Sequence, residues 1–142
     1  MSVTEDALAR MPHKGTMLLI ERVERMEAGR ISCLARDHCT PDYPLRVGSR
    51  LMSVALVELG AQAAAAHASV HGIAGAHTGL LLSLRGVEVL LAEADGIAAP
   101  LAIEAGRIET TEAGAHYRFT IEGEGRKMLK GEAMLSMQAV GR

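Results

Sequence analysis

The stretch from Leu51 to Ala66, LMSVALVELGAQAAAA, limits what this chain can fold into more than any other segment. It is apolar on almost every side of a helix, so something must enclose it. It is also short and broken by polar groups, which argues against a membrane span. Glu58 is its only ionisable residue. An unpaired buried carboxylate costs several kcal/mol or takes up a proton. Glu58 is therefore expected to be a catalytic or ligand-facing acid; the other reading is a glutamate that reaches solvent from a half-exposed helix.

The helix is predicted over Ser53 to His71, with Gly72 as its stop. Thr4 is placed as the cap of a short N-terminal helix ending before Pro12. The rest reads as strands: Met17 to Val23, Arg30 to Cys39, a central apolar strand from Leu80 to Leu91, and one carrying Leu101, Ile103 and Ala105. Gly106 is read as a possible bulge in that last strand. His116 to Glu122 alternates cleanly, with Tyr117, Phe119 and Ile121 on one face. Met128 to Met137 follows, with turns at Glu112–Gly114 and Glu122–Gly125. Strands that do not alternate with helices exclude a doubly wound parallel sheet. The expected class is α+β: one antiparallel sheet wrapped around one long helix, as a single domain over residues 1–142. One sheet of this size covers such a helix poorly, and an apolar Leu80 to Leu91 strand makes a poor solvent edge. A dimer is expected.

Composition excludes several functions. With 142 residues, 49% apolar and a net charge of −2, the chain has a core but no basic run for nucleic acid. Glu5, Asp6 and Arg10 interrupt any leader-like apolar stretch, so a cytoplasmic protein is expected. Cys33 and Cys39 fit neither a metal knuckle nor a disulfide framework and are expected to be reduced thiols. No cofactor fingerprint occurs. The i, i+4 pair His67 and His71 could bind a metal, but it projects nearly opposite Glu58 and has no third ligand, so no metal is expected.

Three segments in order carry a family resemblance. Met11-Pro12-His13 through Leu18-Leu19-Ile20-Glu21-Arg22-Val23 resembles the N-terminal signature of the beta-hydroxyacyl-ACP dehydratases of the hotdog superfamily. Leu56-Val57-Glu58-Leu59-Gly60-Ala61-Gln62 is similar to their helix motif, and Leu81–Glu88 to Gly131–Leu135 is similar to their later strands. The resemblance implies the hotdog fold and a catalytic Glu58. It also implies a partner: acyl carrier protein bearing a phosphopantetheine-linked acyl group. One departure stands out. Those dehydratases carry a Gly-His-Phe-Pro loop before the helix, whereas Tyr43 to Arg50 here has no histidine. The loop resembles a divergent branch found beside carrier-protein-dependent pathways, including aryl polyene synthesis.

Dehydration of a 3-hydroxyacyl thioester needs a base, an acid and donors for the thioester oxygen. Glu58 is expected as the acid, and backbone N–H groups near Ser53 and Val54 as the donors. His38, at the end of the strand feeding the shortened loop, is the candidate base. His13 is the structural alternative at the family's Pro-His position, while His77 and His116 read as loop and solvent-face residues. Gln62, one turn after Glu58, is expected to bond the carboxylate or a ligand carbonyl; Ser69 is expected to pack at the far end. Arg46 and Arg50 could meet a carrier protein or the phosphopantetheine phosphate. Three functions remain open: a dehydratase, a hotdog thioesterase, or a non-catalytic subunit completing another hotdog protein, as homodimer or heterodimer.

Overall fold

The computed structural model describes residues 3–9, 15–71 and 78–138. A short helix α1 (Val3–Ala9) and a 3-10 turn (Gly15–Met17) lead into strands β1 (Ile20–Met26) and β2 (Arg30–Ala35). A long loop then reaches a second 3-10 turn (Ser53–Leu56), which runs directly into helix α2 (Val57–His71). Strands β3 (Thr78–Val89), β4 (Ala102–Thr111), β5 (Gly114–Gly123) and β6 (Arg126–Gln138) complete the chain. All six strands form one antiparallel sheet in the order β1-β2-β4-β5-β6-β3. This is the hotdog fold: one sheet around one helix.

The sheet can close on α2 because the helix presents small side chains. Every residue from Leu59 to Ser69 is buried, including the run Ala63–Ala66. β5 answers with Tyr117, Phe119 and Ile121, all fully buried, on the inner face of its alternation. Helix and sheet meet most closely at Gly60, where an added Cβ would lie 2.2 Å from Cδ1 of Phe119. Gly131 on β6 approaches the other end of the same ring, with Cζ 3.0 Å from its would-be Cβ. The chain's single phenylalanine thus fills a slot left by two missing side chains.

Several sequence expectations are corrected. The strand expected from Leu80 to Leu91 is not central; β3 pairs only with β6 and forms an edge of the sheet, with register shifts between Leu81 and Ser83 and between Arg85 and Glu88. An apolar run marks burial, but periodicity cannot tell burial by the chain's own sheet from burial by something else. Thr4 lies inside α1 instead of capping it. Its hydroxyl donates to the Val23 carbonyl at 3.2 Å and accepts from the Val23 N–H at 2.9 Å, which fixes α1 to the β1 edge. β1 starts at Ile20, three residues later than expected, because Gly15–Met17 is a 3-10 turn; β2 ends at Ala35, not Cys39. The β4 irregularity falls between Arg107 and Glu109, not at Gly106, which keeps regular pairing with Arg118. The first turn of the long helix is 3-10, so α-helix begins only at Val57. The expected stop at Gly72, and His13 and His77, lie outside the described residues.

Deep in the sheet, His67 accepts a hydrogen bond at Nδ1 from the Tyr117 hydroxyl at 2.5 Å and donates from Nε2 to the Glu27 carbonyl at 2.8 Å. The carbonyl can only accept, which sets the tautomer. Burial pushes the imidazole down to about 4, aided by Arg107 and His71, against the opposing effect of the Glu27 bond. Burial likewise pushes Tyr117 up to about 12.

Two stability predictions follow from these contacts. Gly60→Ala should cost roughly 1–3 kcal/mol in urea denaturation, because Phe119 has no room to retreat. Because folding favours neutral His67, stability should be complete above pH 6.5. It should decline as pH falls toward about 4, where the folded ring also protonates. The contribution is roughly 3 kcal/mol. Melting curves of His67→Gln, whose amide can keep both hydrogen bonds, should show a flatter decline across that window than the wild type.

Candidate functional site

Glu58 stands in the first turn of α2, where enclosure by the sheet gives way to the chain surface. It is half-buried, between the two alternatives that the sequence leaves open. Its immediate partner is Gln62, as i, i+4 spacing dictates: Gln62 Nε2 donates to Glu58 Oε1 at 3.0 Å. The same amide also donates to the Met17 carbonyl at 2.7 Å and accepts from the Leu19 N–H at 2.9 Å. Gln62 therefore joins three things: the carboxylate, the helix and the segment leading into β1. Both of its amide hydrogens are engaged, which makes it a positioning group for Glu58. Ser69, two turns beyond, donates to the Ala65 carbonyl at 2.8 Å inside the core.

The donors expected at the helix start divide into two. The Ser53 N–H is taken by the Ala92 carbonyl at 3.0 Å, so Ser53 is corrected as a source of a free backbone donor. Val54 is half exposed (50%) and precedes the first intrahelical bond, from the Ala55 N–H to the Met52 carbonyl at 3.0 Å. Its N–H is thus among the helix's orphan donors, one turn before Glu58 on the same face.

Two irregular segments, 36–52 and 90–101, are locked together beside this helix start. Arg46 is the clamp. Its guanidinium donates to the carbonyls of Thr40 (3.0 Å), Ser49 (3.2 Å) and His38 (2.9 Å) and to Asp95 Oδ1 (2.7 Å). Asp95 Oδ2 also accepts the Leu51 N–H at 2.8 Å, and the Leu51 carbonyl accepts the Ala94 N–H at 2.9 Å. The Leu51 bond and then Arg46 hold the Asp95 carboxyl below the ordinary carboxylate range. Only 10% of the Arg46 side chain is exposed. This corrects Arg46 from a phosphate-facing cation to the residue that shapes the loop. Arg50 is different: 66% of its side chain is exposed, paired with Glu93 on the opposite segment.

His38 is completely buried. Nε2 donates to the Ile97 carbonyl at 2.8 Å, which leaves Nδ1 as an acceptor in the neutral ring, and that nitrogen has no partner. Its ring meets Tyr43 edge-on at 6.4 Å between centroids; the Tyr43 and Ser53 hydroxyls are likewise buried without a bond. Glu58 is tied to Gln62, and His38 to the 90–101 segment. A groove of about 620 Å³ lies elsewhere, lined by Thr4, Glu5, Glu21, Arg22, Leu34, Ala35 and Pro100.

His67 and His71 stack with centroids 5.2 Å apart, and both His67 nitrogens are engaged. Among the described residues, the group with metal-compatible spacing is Asp37, His38 and Cys39, whose ligand atoms lie within 4.8 Å of one another. Sequence reasoning missed it by looking for separated cysteine pairs. The Arg46–Asp95 clamp, 49 positions apart, has no local signal at all.

A family model described as ApeP dehydratase matches residues 6–138. The chain belongs to the ApeP-like family. Among solved structures, it is similar to the dehydratase heterocomplex ApeI:P from Xenorhabdus doucetiae, at 18% identity and a TM-score of 0.76, covering 94% of this chain and 91% of that one. It is also similar to a hypothetical thioesterase with coenzyme A from Streptococcus pneumoniae (15% identity, TM-score 0.64, 83% and 85% covered). A thioesterase from Haemophilus influenzae is a third (12% identity, TM-score 0.66, 85% and 80% covered). At these identities the likeness is one of fold. No curated protein sequence matches the chain. No helix among the described residues of this ApeP-like protein is long and apolar enough to cross a membrane.

The two arginines give a sharp contrast to test. Arg46→Ala removes four hydrogen bonds that tie the loop together and should cost about 1–3 kcal/mol. Arg50→Ala removes an exposed ion pair and should stay within about 0.5 kcal/mol of the wild type. Urea midpoints measured side by side check both.

Proposed function

We propose that this ApeP-like protein is a 3-hydroxyacyl thioester dehydratase acting on acyl groups carried by acyl carrier protein. The observation that carries the reading is Glu58: a half-buried carboxylate at the mouth of the enclosed helix, oriented by Gln62, in a chain of a family described as dehydratase.

Elimination removes an α-proton and a β-hydroxyl. In this reading the protonated Glu58 donates to the departing hydroxyl, which leaves as water. The α-proton goes to the Nδ1 of His38, which is sealed from solvent here and must be uncovered as substrate enters, and the electron pair becomes the new double bond. A water-mediated transfer from His38 back to Glu58 resets both groups. The Val54 N–H and the positive end of the helix stabilise charge on the thioester oxygen. Arg50, exposed at the edge of the loop, is the cation for the phosphopantetheine phosphate. The substrate implies a cytoplasmic setting and no cofactor.

A second hotdog chain belongs to this proposal. Exposed Val54, Met52, Val89 and Leu90 surround the helix start and the end of edge strand β3. A partner pairing along β3 would cover them and close the pocket over Glu58. The heterocomplex described for the similar X. doucetiae protein favours an unlike partner, and with it a second reading in which this chain completes the partner's active site without turning over substrate itself. A thioesterase is the remaining alternative, with Glu58 activating water at the carbonyl.

Mass spectrometry of 3-hydroxyacyl carrier protein, incubated with the protein alone and with a histidine-bearing hotdog partner, separates these outcomes. Water loss supports dehydration, hydrolysis supports the thioesterase, and activity that needs this chain only as a companion supports the subunit. For the dehydratase, Glu58→Gln should keep the fold and lower turnover by roughly 10² or more. Full activity in that variant would remove Glu58 from the chemistry.

A further inference from the structure

Beyond the helix mouth, one cluster of side chains is arranged for a ligand that nothing above requires. Cys39 Sγ lies 3.7 Å from His38 Nε2 and 3.6 Å from the Ile97 carbonyl oxygen; that oxygen lies 2.8 Å from Nε2. A point equidistant from these three atoms is about 2.0 Å from each, close to zinc–nitrogen and zinc–oxygen lengths and about 0.3 Å short of a zinc–sulfur bond. The Asp37 carboxylate lies within 4.8 Å of the His38 and Cys39 ligand atoms and supplies a fourth donor. It also accepts the Cys39 N–H at 2.9 Å, which holds carboxylate and thiol in one tight turn. Asp37 and Cys39 are exposed, so a cation can reach the site; buried His38 presents Nε2 to it, the nitrogen now bonded to the Ile97 carbonyl.

We propose that Asp37, His38 and Cys39, with the Ile97 carbonyl, form a binding site for a borderline-soft divalent cation of the Zn2+ type. Thiolate, imidazole and carboxylate together select this class over the hard cations Mg2+ and Ca2+. On binding, the Cys39 thiol loses its proton to solvent as the metal–sulfur bond forms. The His38 ring moves its remaining hydrogen to Nδ1 so that Nε2 can bind the metal through its lone pair. That tautomer shift has a consequence resting on the dehydratase reading above: it removes the bare Nδ1, so the cation is an inhibitor of turnover.

The test uses the full, untagged chain and Zn2+ alone, with Co2+ as the spectroscopic probe. Equilibrium dialysis should give one Zn2+ per chain, and Co2+ should give a thiolate-to-metal charge-transfer band with visible tetrahedral absorption. Cys39→Ser should weaken binding at least tenfold and abolish the charge-transfer band. Asp37→Asn should weaken it several-fold, and His71→Ala should leave it unchanged. Both ligand variants alter exposed side chains, so folding is not at risk if His38→Gln proves unstable. Absence of the charge-transfer band, or wild-type affinity in Cys39→Ser, overturns the site. Binding without loss of turnover keeps the site and instead refutes His38 as the base.

Discussion

Enclosure of α2 is the constraint on which the rest of the structure depends. A helix buried from Leu59 to Ser69 can carry polar groups only if each finds a partner inside the protein. Gln62 finds the Met17 carbonyl and Leu19 N–H, His67 finds Tyr117 and Glu27, and Ser69 bonds back to Ala65. The Gln62 bonds draw the entry to β1 onto the helix, and the His67 bonds draw in β5 and the β1–β2 turn. The alanines and Gly60 let those strands come close enough to make them.

Glu58 derives its character from where that enclosure stops. One turn deeper it would need a full set of internal partners. One turn earlier it would stand with exposed Val54. At the boundary it is half-buried and bonded to Gln62. Around it the chain spends strong interactions on shape. Arg46 and Asp95 lock two irregular segments that have little regular backbone pairing of their own, and His38 and Cys39 are held against Ile97 as a result.

Much of this was legible in the sequence because it is local. The helix, the β5 alternation, the two hairpin turns and the Glu58–Gln62 pair all follow from fixed periodicities, and the structure has each of them. The failures share one cause. The apolar run of β3 reads as a central strand, yet it is an edge, because hydrophobicity records burial and not the identity of what buries. Arg46 and Arg50 look equivalent in a loop, yet one is a buried clamp and the other an exposed ion pair.

The sequence by itself determined the class of fold, the helix at its centre and the one charge on that helix, since the 3.6 and 2.0 residue periods and the cost of burying a carboxylate act along the chain. Tertiary structure alone decided which polar groups are used up. Ser53 loses its N–H to Ala92, Arg46 pairs with Asp95, and His38 turns Nε2 to Ile97 and leaves Nδ1 bare. Hydrogen bonds between residues about 40 or more positions apart are set by how the loops pack, and no local pattern encodes that packing.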